Sequence, residues 1–130
     1  MITTADIKNI LYKDCKVLGI NVCRDRPQLG SEGLQEEMII LHTKRQTPEK
    51  HWKKSFVEVN LCVPDLDGGE NEIRTQEIEH LAIAALDNVT GVFNKTRYKY
   101  GIESEGIEND TELQCHYVNL RILFEVLNTI

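Results

Sequence analysis

The sequence predicts an α+β domain: an antiparallel β-sheet of four to five strands with two α-helices packed on one face, in the order α-β-β-β-α-β-β. Three observations predict it. Residues 55–63, SFVEVNLCV, alternate apolar and polar side chains as a strand buried on one face does. Apolar residues recur at helical spacing in two places, near the start and in the middle of the chain. The succession helix, three strands, helix, two strands is that of an α+β fold. At 130 residues the chain is expected to form a single domain over residues 1–130, with a core that needs no disulfide or metal staple.

Thr3 can cap the first helix, with Asp6 three residues on as a short capping box. Ile7, Ile10, Leu11, Asp14 or Cys15, and Leu18 follow at helical spacing, and Gly19 is placed to end the helix in a left-handed turn. Residues 20–26 read as a short strand closed by Pro27, and residues 28–36, QLGSEGLQE, as a loop. Residues 37–43, EMIILHT, are apolar and branched enough for a buried strand. A long basic loop, residues 44–54, then makes an extended hairpin with residues 55–63. In that strand Val57, Val59, Leu61 and Val63 face one way and Phe56, Glu58, Asn60 and Cys62 the other.

Pro64 has no amide hydrogen to donate, so the ladder ends there and residues 65–71 turn. From Glu72 the period becomes helical, with Ile78, Leu81, Ala82, Ala85 and Val89 on one face. Residues 95–103 read as a strand and residues 103–112, ESEGIENDTE, as an exposed acidic turn. The last strand, residues 113–127, places His116, Val118, Leu120, Ile122, Phe124 and Val126 on one side.

The net charge of −6 argues against nonspecific coating of DNA, yet the charge is unevenly spread. Residues 44–54, KRQTPEKHWKK, hold five basic residues and one acid, whereas residues 101–112 hold five acids and no base. No apolar run is long enough to cross a bilayer, and the N-terminal residues lack the pattern of a signal peptide, so a cytosolic protein with no membrane partner is expected. The four cysteines are scattered without a C-x-x-C pair and read as small buried hydrophobes.

A cysteine nucleophile would need Cys62 or Cys115 beside His42, His51, His80 or His116. Adjacent Cys115 and His116 point to opposite faces of a strand and cannot pair. Asp65, Asp67 and Glu70 hint at calcium, but the rest of an EF-hand loop does not follow, and acids before a helix suit its dipole anyway. No catalytic, metal or cofactor site is expected, and the reading is non-enzymatic. The basic segment, with Lys44, Arg45, Lys50, Trp52, Lys53 and Lys54, admits three readings. It is a solvated hairpin tip, a phosphate-contacting surface of a small nucleic-acid-binding module, or a contact for a protein partner.

The combination of VCRDRP before a loop, EMIILH, FVEVNLCVPDL, an alanine-rich second helix and a closing YVNLRILFEVLN resembles the tail-completion, or tail terminator, proteins of long-tailed bacteriophages. The resemblance runs over nearly the whole chain and lies in the order of strands and turns. It implies a small structural subunit that forms a homo-hexameric ring, caps the head-proximal end of the tail tube and stops its growth. The partners implied are the tail tube protein and a head-completion or connector protein, with DNA only as passing cargo. The expected location is the host cytoplasm during assembly and then the virion tail. In such a ring the basic hairpin would meet acids of the next subunit, with Glu103, Glu105, Glu108, Asp110 and Glu112 as candidates. Asp65, Asp67, Glu70 and Glu72 would face the channel, where like charge lets DNA pass.

Overall fold

The computed structural model describes residues 2–49 and 51–127. The first helix, α1 (Thr4–Cys15), starts on the expected box: Asp6 N–H donates to Thr3 Oγ1 at 3.1 Å and Thr3 N–H donates to Asp6 Oδ2 at 2.9 Å. Two orphan donors of the first turn are thereby satisfied. The helix tightens into a 3₁₀ turn over Lys16–Leu18, and Gly19 closes it with a φ of 71°. Then come β1 (Asn21–Cys23), β2 (Met38–Pro48), β3 (Trp52–Pro64), α2 (Glu72–Leu86), β4 (Val89–Phe93), β5 (Thr96–Asp110) and β6 (Cys115–Leu127).

The strands form one sheet in the order β1-β2-β3-β6-β5-β4. The pleat of β3 divides as the alternation requires: Val57, Val59, Leu61 and Val63 are buried with Val118, Leu120, Ile122, Phe124 and Val126 of β6. Both helices close over this face, α1 through Ile7, Ile10, Leu11 and Cys15, α2 through Ile78, Ala82 and Leu86. A second, smaller cluster lies on the opposite face, where Leu34 covers Met38, Ile40, Cys62, Leu113 and Cys115. Residues 24–37 form the strap that carries Leu34. Leu34 N–H donates to Leu113 O at 2.8 Å, and Glu37 binds Arg74 of α2 at 2.8 Å. Gly33 must be glycine here, because its φ is 72° and a Cβ would lie 2.8 Å from Leu113 O.

The architecture departs from expectation in five places. Among the described residues the sheet has six strands, giving α-β-β-β-α-β-β-β, and β1 runs parallel to β2. The extra strand is β4, where a helical face through Val89 was expected. Asp87 is extended and Asn88 has a φ of 54°, which breaks the helix at Leu86. Asn94 and Lys95, both at positive φ, then make a two-residue hairpin into β5. On α2 the buried stripe is Thr75, Ile78, Ala82 and Leu86, while Leu81 is 47% exposed. The acidic segment is strand, not turn: β5 stays paired with β6 from Tyr98 to Asp110. An edge strand can carry charge on every solvent-facing position, because its apolar support comes from the neighbour.

The fifth departure is the basic segment, which is mostly strand. β2 runs to Pro48 and β3 starts at Trp52, so the connection between them is short. A register shift between Thr43 and Gln46 leaves a bulge at Lys44 and Arg45. At the β4 side, Tyr98 and Tyr100 stack with Phe124 at centroid distances of 5.2 and 5.5 Å. Gly91 makes room for that stack, since a Cβ there would lie 2.4 Å from the Tyr98 ring.

Candidate subunit interface

The strand registers place the charged residues. Lys53 pairs with Val126, which pairs with Tyr98, and Lys54 pairs with Glu125, which pairs with Lys99. The tip of the β2–β3 hairpin and the β4–β5 turn therefore lie at the same end of the sheet. Lys44, Arg45, Trp52, Lys53 and Lys54 are gathered there as expected, while Lys50 lies outside the described residues. The topology adds Lys95, Arg97 and Lys99, which sequence reading left out. Their signal was present: cations at 95, 97 and 99 alternate with the period of a strand face.

Trp52 is a strand residue rather than a loop aromatic. It is half-buried, with Lys99 Nζ 4.5 Å from its ring centroid. Phe56, on the same side of β3, carries Arg121 at 4.0 Å. Several cations of this end already have acidic neighbours within the chain: Lys54 lies 3.4 Å from Glu49 and Lys44 3.6 Å from Glu58. Arg45 and Lys53 have no ion-pair partner among the described residues.

The expected acids are not equivalent. Asp110 and Glu112 are held by Arg26 of the strap, Asp110 at 2.7 and 3.2 Å and Glu112 at 3.1 Å. The Arg26 guanidinium keeps the Asp110 carboxyl below the usual carboxylate range. These two acids tie the strap to the end of β5, which competes with any contact to another subunit. Glu103 sits in a β5 bulge, 3.7 Å from Arg121. Glu105 and Glu108 are exposed on β5 with no ion pair among the described residues.

Of the four acids expected to face a channel, two are engaged within the chain. Asp65 Oδ1 lies 2.7 Å from His116 Nδ1, and Glu70 accepts from Thr75 Oγ1 at 2.9 Å. Asp67 and Glu72 are exposed, the first in a turn at a φ of 53°, the second in the first turn of α2.

The thiols are buried or half-buried. Burial, with Asp14 beside it, pushes Cys15 up to about 12. The hydrogen bond between Cys62 and Cys115 raises Cys62, with burial adding to it, and lowers Cys115 against the opposing effect of its burial. Raised thiols are poor nucleophiles at neutral pH. The arrangement as a whole is a sheet with cations concentrated at one end and acids along the far part of one border. That geometry suits binding to a charged surface. No protein-family model matches this sequence, and no curated protein matches it.

Proposed function

We propose that this chain is a structural, non-enzymatic subunit that closes into a ring and caps the end of a phage or prophage tail tube. The observation that carries the reading is the sorting of charge on one sheet. The basic end crosses the sheet from the β2–β3 hairpin to the β4–β5 turn. Beyond the strands that cover each border, Lys44 and Arg45 lie on β2, and Glu105 and Glu108 lie on β5 toward the other end and the other border. A surface of one sign on one side and the opposite sign on the other suits a heterologous contact, which closes into a ring when the rotation between copies allows. The resemblance to tail terminators supplies the context: a six-membered ring, a tube protein below it, a head-completion protein above it, and residence in the virion tail. In that setting the exposed Asp67 and Glu72 line the DNA channel, and reversing both charges slows DNA passage.

The test is the solution mass of the purified chain by light scattering, alone and then with tube protein from the same source. A ring mass, or a monomer that binds tube ends and halts their growth, supports the reading. A monomer indifferent to tubes overturns it. A second reading, a small nucleic-acid-binding module, is favoured by Lys95, Arg97 and Lys99 lying at the same end of the sheet as Lys54, with Lys99 and Lys54 on the face of Trp52. Tight DNA binding that falls steeply as salt rises would select it.

A further inference from the structure

The two borders of the sheet are incompletely covered, and in opposite corners. β1 pairs only with Met38, Ile39 and Ile40, so the rest of β2 has no strand beyond it among the described residues. On the other side β4 pairs with β5 only from Thr96 to Tyr100, so residues 101–110 likewise have no strand beyond them among the described residues. One amide of that stretch is already taken: Ile102 N–H donates to Asp87 Oδ1 at 2.9 Å. Pro48, at the far end of β2, has no amide hydrogen to offer. Besides the outer edges of the short end strands β1 and β4, what is left among the described residues is residues 41–47 on one border and residues 103–110 on the other. Within 41–47 the Lys44 carbonyl already accepts from Ser55 Oγ at 3.0 Å, and the Gln46 side chain reaches Ile2 O and Thr4 Oγ1.

An uncovered strand border is a row of N–H and C=O groups that accepts another strand. Charges and bulges on such borders commonly serve to keep copies apart, and both borders have them: Lys44 and Arg45 bulge from β2, Glu103 from β5. The signs argue for more than repulsion. Cations on β2 and acids on β5 repel a β2–β2 or a β5–β5 contact, yet attract β5 of one copy to β2 of another. Direction agrees as well. β2 is antiparallel to β3, β3 to β6 and β6 to β5, so β5 runs antiparallel to β2 within the chain. Copies related by rotation about an axis near the strand direction therefore bring β5 to β2 in antiparallel pairing. The uncovered segments lie in opposite corners, so successive copies are offset along the strands. Strand tilt converts that offset into closure, as in any barrel.

We propose that residues 103–110 of β5 in one subunit add to residues 41–47 of β2 in the next, so that the sheet runs on from copy to copy. The inference rests on the ring reading and names how the ring is held. It is tested by amide hydrogen exchange on the assembled ring and on the dissociated chain. Expected is at least tenfold slower exchange in both segments on assembly. Arg45→Glu lowers the assembled fraction at least tenfold, and Arg45→Glu with Glu105→Lys restores it. Both positions are exposed, so the variants keep the fold. A ring of full mass whose two segments exchange as fast as in the dissociated chain overturns strand addition and leaves the ring reading standing. Failure to assemble, with or without tube protein, overturns both.

Discussion

Leu120 and Leu123 are three residues apart on β6 and test the division of the sheet with one substitution. Leu120 is fully buried under the helices, whereas Leu123 lies on the opposite face, half-buried, across from Phe56 of β3. Replacing leucine by alanine removes the equivalent of about three methylene groups, worth roughly 2.4 kcal/mol of transfer free energy when all are buried. The cavity left at Leu120 adds to that, for a total of about 3 to 4 kcal/mol. At Leu123 water fills the gap and only part of the side chain was buried, so about 1 kcal/mol is expected. Urea unfolding followed by far-UV circular dichroism, at a concentration where the chain is monomeric, reads the difference. With a slope of about 2 kcal/mol/M, the midpoint falls by roughly 1.5 to 2 M for Leu120→Ala and by about 0.5 M for Leu123→Ala. Equal losses, or a larger loss at Leu123, would refute the assignment of the helix-covered face as the core.

Three further outcomes are expected. Leu61→Asp places a carboxylate without a partner in the same fully buried layer, costs several kcal/mol and leaves little folded protein at room temperature, as the ellipticity of the purified variant will register. Gly33→Ala meets both a positive φ and the Leu113 carbonyl, so it costs about 2 kcal/mol and opens the strap, speeding the reaction of Cys62 and Cys115 with a thiol reagent. Gly30→Ala, with nothing within 4 Å of its Cβ, serves as the control and leaves that rate unchanged. Arg26→Ala removes the partner of Asp110 and costs about 1 kcal/mol at neutral pH, a figure kept low because the Arg26 side chain is 42% exposed. Since the folded Asp110 carboxyl is depressed, this stabilisation is complete above the ordinary carboxylate range and is lost as pH falls through the folded value. Stability curves of parent and variant should therefore converge in acid; a constant gap down to about pH 2 would assign the effect to packing of the strap.

Local chemistry made much of the fold legible. Thr3 and Asp6 set the start of α1, Gly19 its end, and Pro64 the end of β3, because caps, left-handed turns and missing amide hydrogens act within a few residues. The inner faces of β3 and β6 followed from strict alternation, since period 2 assigns each side chain to a face wherever the strand sits. The charge of residues 44–54 and 103–112 was equally plain. Their conformation was not, because charge marks exposure, and exposure is shared by loops and edge strands.

What the tertiary structure alone decided came from partners distant in sequence. Pairing with β6 makes the acidic segment a strand, and Arg26, 84 residues before Asp110, takes two of its acids out of reach. Packing of α2 across the sheet selected the stripe through Thr75 and Leu86 over the one through Leu81. The basic end doubled because β5 lies beside β6, bringing Lys95, Arg97 and Lys99 to the end of the sheet that holds Lys53 and Lys54, with Lys99 on the face of Lys54 and Trp52. Strand order also determined which borders lack a neighbouring strand among the described residues. A sequence states which residues are able to face water; only the assembled sheet states which of them face the same water, and with which backbone groups left to bind.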